Sequence, residues 1–178
     1  MTEDAAFRAT ALGEAYARID RLPVAVLLDN VRSLYNVGAF FRTADAVRAG
    51  SVVLAGITLT PDDSRIAKTA LGAERAVSWS KAADACAAVE GLRARGYEIA
   101  AVETTLHAVD LFDWRPRFPV CVVFGHEVDG LAAALLERCD VQIRIPALGA
   151  KGSINVATAG GVVLYELLRK YRGLLPGG

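Results

Sequence analysis

Three short polar clusters interrupt an otherwise apolar chain, and any chemistry must start from them. The first runs Asp29-Asn30-Val31-Arg32-Ser33-Leu34-Tyr35-Asn36-Val37-Gly38 and leads to Arg42. The second is Gly125-His126-Glu127-Val128-Asp129-Gly130-Leu131, and the third is Ser153 with Asn155, at the end of a loop that contains Gly149 and Gly152. Together they offer a guanidinium, a carboxylate, two amides and a hydroxyl, groups that orient a polar substrate and steady developing negative charge. Each has a plain structural reading too. Asn36 taken alone is as well explained by a helix cap, Gly38 by close packing, and Glu127 by a first-turn acid favoured by the helix dipole. Arg42 is harder to explain that way, because Ala39, Phe40, Phe41 and Ala44 around it are apolar where a solvated arginine usually has charged company. Ser153 reads as the N-cap of a helix starting at Ile154, which leaves Asn155, a poor helix former, in the first turn. A polar pair at the mouth of a crevice accounts for both residues.

Other chemistries fall away by what is missing. His107 and His126 lack metal-ligand spacing, and Cys86, Cys121 and Cys139 are odd in number with no C-x-x-C, so neither a zinc site nor a disulfide framework is indicated. No metal is expected. The first strand is not followed by G-x-G-x-x-G, and there is no phosphate-binding G-x-x-x-x-G-K-[ST] and no G-x-S-x-G elbow. A small organic cofactor held by backbone loops is the chemistry that remains.

The elements that position these clusters alternate along the chain. Glu3 to Asp20 is expected to be helical, with Phe7, Ala11, Ala15 and Ile19 every four residues. Val24 to Leu28 is apolar without alternation, as a strand covered on both faces reads, and this argues for a parallel sheet. Helices are then expected over 36–48, 64–71, 81–95, 130–138 and from Ile154 to Arg172. Strands are expected over 51–55, 76–79, 97–102, 119–124 and 141–145. The result is an α/β sandwich of a mostly parallel sheet flanked by helices. Each polar cluster falls just past the carboxyl end of a strand, where open α/β sheets bind ligands. The 178 residues, 53% of them hydrophobic, suit one domain (22–178) behind an N-terminal helical extension (1–21). Lys plus Arg equals Asp plus Glu at 20 each, so nucleic acid would be met by local patches, not by bulk charge. No apolar run approaches the ~20 residues of a membrane span, and Met1-Thr2-Glu3-Asp4 lacks the basic start of a signal peptide. A cytoplasmic location and no membrane are expected.

Asn36-x-Gly38-x-x-x-Arg42, Phe124-Gly-x-Glu127-x-x-Gly130-Leu131, and Ile145-Pro146 followed by Gly149 and Ser153-Ile154-Asn155-Val156 resemble the three motifs of the SpoU (TrmH-type) branch of the SPOUT methyltransferases. The segment from Ile66 to Glu74 is also similar to that branch, so the resemblance covers roughly residues 22 to 172. It implies an S-adenosylmethionine-dependent RNA 2′-O-ribose methyltransferase whose C-terminal helix is threaded through a deep trefoil knot. With a short N-terminal helix outside the core and no separate RNA-binding domain, tRNA and rRNA are both open as substrates and tRNA is the expectation. By motif the resemblance places the cofactor against Val102, Glu103, Thr104, Gly125, Ile145, Leu148, Ser153 and Ile154, mostly through backbone groups. The sulfonium methyl would then face Asn36 and Arg42.

Ala147, Ile154 and Ala157 stand where the branch often has Met, Leu and Ser; the last change puts fine positioning in doubt, not the reaction class. Because a guanidinium is a poor base, with a pKa above ~12, Arg42 is expected to grip phosphate and steady the alkoxide. Asn36, Glu127, Ser153 and Asn155 would set its position. A non-catalytic RNA-binding protein on the same fold is the alternative. A homodimer is expected too, since Ala157, Ala159, Gly160 and Gly161 lie in the terminal helix, where each glycine costs about 1 kcal/mol against alanine. The resemblance sets that helix against the first motif's helix of a partner, with Phe40, Phe41 and Arg42 near the partner's cofactor loop. RNA would meet paired patches such as Arg8, Arg18, Arg32, Arg65, Lys68 and Arg75.

Overall fold

A computed structural model describes residues 14–175. Seven strands, β1 (Leu22–Asp29), β2 (Ala49–Ala55), β3 (Trp79–Ala82), β4 (Glu98–Val102), β5 (Val109–Asp110), β6 (Val120–Phe124) and β7 (Val141–Arg144), form one sheet. Their order is β3-β2-β1-β6-β4-β7-β5, with every pairing parallel. The helices are α1 (Glu14–Ala17), α2 (Leu34–Ala46), α3 (Ser64–Ala70), α4 (Ala73–Ala76), α5 (Ala85–Ala94), α6 (Ala133–Leu136) and α7 (Val156–Arg172).

The unbroken apolar run of β1 has the cause expected from the sequence. Leu22, Val24, Val26 and Leu28 face a core shared with α2, α3 and α7, whereas Ala25 and Leu27 face a second core under α5 and α6. All six are fully buried. Within the first core Phe40 meets Phe124 with ring centroids 4.9 Å apart, tying α2 to β6. Gly160 is what lets α7 approach: a Cβ there would lie 2.2 Å from Phe40 Cε1. The far end of α7 is fastened by Lys170, whose ammonium donates to the carbonyls of Leu111 and Trp114 and pairs with Glu166.

Several element boundaries differ from the sequence expectation. Of the N-terminal helix, residues 3–13 lie outside the described residues and the helix seen is Glu14–Ala17. The strand expected at 76–79 is Trp79–Ala82, because Asp84 caps α5 through the Cys86 and Ala87 N–H groups and holds its start to Ala85. Residues 130–138 shorten to α6, and β5, only two residues long, gave no periodic signal.

Candidate active site

The three polar clusters converge at the carboxyl ends of β1, β6 and β7. After β6 the chain turns through 126–130, closed by backbone hydrogen bonds between His126 and Gly130 in both directions. Gly130 takes a positive φ of 67°, and a Cβ on Gly125 would lie 2.5 Å from the Gly130 carbonyl, so both glycines are demanded by the tightness of the turn. His126 is part of this scaffold: its Nδ1 accepts from the N–H groups of Val128 and Asp129. Glu127 therefore sits in a turn and not in the first turn of a helix.

From that turn Glu127 reaches across to the first cluster. Its Oε1 accepts from Ser33 N–H at 3.0 Å and from the Asn36 amide at 2.9 Å, and its Oε2 accepts from Arg32 N–H at 3.2 Å. Burial pushes the Glu127 carboxyl up, but the bonds from Ser33, Asn36 and Arg32 outweigh it and leave the group below its ordinary value. Asn36, buried in the first turn of α2, passes the connection on. Its Oδ1 accepts from the Asn155 amide at 3.1 Å. The Asn155 Oδ1 in turn accepts from Ala157 N–H at 2.9 Å and Thr158 N–H at 3.1 Å, so Asn155, and not Ser153, is the N-cap of α7. One unbroken series of hydrogen bonds thus runs from the second cluster through the first to the third.

Sequence reasoning missed two supports of this arrangement. Thr58, fully buried, accepts from Val31 N–H at 2.9 Å and donates to the Leu28 carbonyl at 3.0 Å, which fixes the loop between β1 and α2. The Glu103 carboxylate accepts from Leu131 N–H and from its own neighbour Thr104, clamping the loop after β4 to the turn after β6. A threonine 27 residues from the backbone it holds leaves no local pattern to read.

Beside the series lies a cavity of about 650 Å³, within the range of small-molecule sites. Val102, Glu103, Thr104, Gly125, Glu127, Ile145, Ser153, Ile154 and Asn155 line it. Leu148 does not, being 99% exposed. Asn36 and Arg42 also lie outside the lining, Asn36 joined to it through Glu127 and Asn155. Arg42 is on the exposed face of α2, whereas Phe40, Phe41 and Ala44 point into the core. Its apolar company is therefore explained by helix geometry, and Phe40 and Phe41 are not available to a partner.

Val102, Leu131, Ile145 and Ile154 give the cavity an apolar wall. Among the described residues, no hydrogen bond within the chain engages the backbone of 146–154, so that loop presents free N–H and C=O groups beside the wall. A Cβ on Gly149 or Gly152 would meet nothing within 4 Å; neither glycine is required by the fold itself. Apolar wall plus uncommitted backbone suits a flat heterocycle carrying polar edges, such as an adenosine. No group of three or more metal-ligating side chains occurs among the described residues.

Solved structures that share this architecture include RNA methyltransferases. An AdoMet-bound rRNA methyltransferase from Sinorhizobium meliloti superposes with a TM-score of 0.78 at 30% identity, covering 86% of this chain and 57% of that one. A structure described as giving insights into the 2-OH methylation of C/U34 on tRNA superposes at 0.76 with 26% identity, covering 84% of this chain and 97% of that one. Residues 23–165 match the SpoU rRNA Methylase family, and the chain belongs to that family of RNA methyltransferases. Among curated relatives, the 23S rRNA (guanosine-2′-O-)-methyltransferase RlmB of Pseudomonas syringae pv. tomato is 33% identical over 163 residues, 89% of this chain. The chain spans 63% of that protein's length, and 59% of the length of a Staphylococcus haemolyticus relative.

Proposed function

We propose that the chain is an S-adenosylmethionine-dependent RNA 2′-O-ribose methyltransferase. The observation that carries this reading is the hydrogen-bond series Glu127–Asn36–Asn155, which joins all three motifs at the edge of an adenosine-suited cavity. The AdoMet-bound neighbour supports the cofactor, and the 2′-O relatives support the acceptor. S-Adenosylmethionine brings an electrophilic sulfonium methyl, and the chain must bring the ribose oxygen into line with it. Val102, Glu103, Thr104, Gly125, Ile145, Ser153 and Ile154 hold the cofactor. Leu148, now wholly exposed, joins them only if its loop folds inward.

Glu127 is not the base. The bonds it accepts hold its carboxyl below the ordinary value, which makes it a weaker base, and occupy its oxygens three times over, so it positions Asn36 and the loop bearing Arg32. The Arg42 side chain makes no hydrogen bond or ion pair among the described residues, which leaves its guanidinium free, against the partner's cofactor loop in the homodimer, to grip an RNA phosphate and steady the developing alkoxide. Asn36, Ser153 and Asn155 set the ribose against it.

The substrate is tRNA or rRNA, and the neighbour described for 2-OH methylation of C/U34 on tRNA, 97% of whose chain is covered, supports tRNA. The protein acts in the cytoplasm, with residues 22–178 as its methyltransferase domain behind an N-terminal extension (1–21), the first 13 residues and the last three lying outside the described ones. The C-terminal segment is threaded as a trefoil knot. The crossing from β7, near one edge of the sheet, back to α2 and β1 beneath α7 is the support for that topology. The active form is a homodimer through α7. A Cβ on Gly161 would meet nothing, Tyr165 is 55% exposed, and a groove of about 370 Å³ runs beside Ile19, Val47 and Leu168. Of the RNA-contact residues expected from sequence, Arg65 pairs with Asp63 and Arg75 lies near Glu74, which weakens both as phosphate ligands, and Arg8 lies outside the described residues.

The test is methyl transfer from labelled S-adenosylmethionine to bulk RNA from cells lacking the protein. Label in RNA is the expected result. Tight cofactor binding without any transfer to RNA would replace this reading with a non-catalytic one.

A further inference from the structure

Tyr35 has no part in the machinery so far described and the Arg32 side chain only that of a general RNA contact, although their backbone is among the most firmly held in the site. Arg32 N–H and Ser33 N–H both donate to Glu127, and the Asn36 side chain is bonded at both ends. Tyr35 lies between these anchors, yet the residue is 78% exposed and, among the described residues, its ring stacks on no aromatic ring and no cation. The Arg32 side chain is likewise exposed. Single exposed apolar residues are ordinary on protein surfaces. A rigidly mounted aromatic ring one residue from Asn36, with an uncommitted guanidinium three residues before it, is a different case. The fold spends nothing structural on either side chain, and this pair of residue types is the one that stacks bases and holds phosphates.

The helix extends the same surface. Tyr35, Ala39 and Arg42 recur at i, i+4 and i+7, so they share the outward face of α2. Seven residues set the backbone positions of Tyr35 and Arg42 about 10 Å apart along the axis. Ala39 between them is small and half-buried, leaving a shallow strip with an aromatic at the cavity end and a cation at the other.

Resting on the methyltransferase reading, we infer that Tyr35 is the platform on which a nucleobase next to the target ribose stacks, with Arg32 on its phosphate. A base inside an A-form helix is stacked on its neighbours and has no free face to offer. The substrate class is therefore an unpaired RNA segment, such as a loop or bulge, and not a duplex.

The experiment measures methyl transfer from labelled S-adenosylmethionine to bulk RNA from cells lacking the protein, for wild type, Tyr35→Ala, Tyr35→Phe and Arg32→Ala. Cofactor affinity is read by calorimetry on the same preparations. Tyr35→Ala should raise KM for RNA roughly ten-fold, and Tyr35→Phe should stay within about two-fold of wild type, because the ring and not the hydroxyl carries the stacking. Arg32→Ala should raise KM and flatten its dependence on salt. Cofactor affinity should be unchanged in all three. An unchanged KM in Tyr35→Ala, a phenylalanine variant as poor as alanine, or a modified nucleotide mapping inside a helix would each overturn the inference while leaving the methyltransferase reading intact. A wild type that transfers no methyl to any RNA would sink that reading, and this inference with it.

Discussion

Asn36→Asp is the sharpest perturbation of the site, because it changes one atom type in the middle of the hydrogen-bond series. The Asn36 amide donates to Glu127 Oε1 at 2.9 Å, and a carboxylate there has nothing to donate. Losing a hydrogen bond to a charged group costs about 1.5 to 3 kcal/mol. Two carboxylates held about 3 Å apart also repel, and one of them must take up a proton to relieve it. A net loss on the order of 3 kcal/mol at neutral pH is expected, which for a chain of this size lowers Tm by roughly 6 to 12 °C. The pH dependence gives the sign. The new carboxyl would have a folded-state pKa raised above its unfolded value, so the folded state is spared below the unfolded pKa. The penalty then grows as pH rises through the folded pKa. Thermal unfolding of wild type and variant should nearly coincide near pH 4 and diverge toward pH 7. A Tm difference that is constant across that range, or absent at pH 7, would refute the Glu127–Asn36 contact as described.

The other predictions concern the remaining parts of the site. Arg42→Ala should lower kcat on the order of a hundred-fold with cofactor affinity within a few-fold, and Arg42→Lys should be nearly as poor for want of the planar fork; equal loss of cofactor affinity would show the arginine misassigned. Gly160→Ala should destabilise by about 1 to 2 kcal/mol, since crowding against Phe40 exceeds the gain in helix propensity, whereas Gly161→Ala, with open space around it, should not; denaturant midpoints decide between them. Light scattering should give twice the chain mass at micromolar concentration, with Gly161→Leu shifting it toward monomer and abolishing activity; a fully active wild-type monomer would end the dimer proposal. Because Glu127 has a folded-state value below its ordinary one, its hold on Arg32, Ser33 and Asn36 is full above pH ~4.5 and lost as pH falls through the folded value. Cofactor affinity should therefore be flat around neutrality and fail only in acid; a break near pH 6 to 7 would contradict this.

Much of this was legible in the chain because the relevant signals are local. The apolar run of β1, buried on both faces, betrayed a parallel sheet, and polar residues directly after β1 and β6 marked the ligand end of that sheet. What escaped the sequence was decided by distance or by direction. Asn155, not Ser153, caps α7, because the cap also had to reach Asn36, 119 residues earlier. Arg42 among apolar neighbours looked unlike an ordinary solvated arginine, yet the 3.6-residue period alone accounts for its company by turning Phe40 and Phe41 inward and Arg42 outward. Gly160 and Gly161 read alike in sequence, but only the first is pressed by a neighbour. Thr58 and Glu103 act on backbone N–H groups from 27 and 28 residues away, and side-chain bonds of that kind leave no periodicity.

The proposed reaction places a methyl on a ribose 2′-oxygen of RNA. The direct measurement is mass spectrometry of nucleosides from RNA incubated with the protein and S-adenosylmethionine, digested to completion. One new nucleoside is expected whose added methyl stays with the sugar fragment, present with wild type and depleted with Arg42→Ala. A methyl retained on the base fragment, or no methylated nucleoside at all, would contradict it.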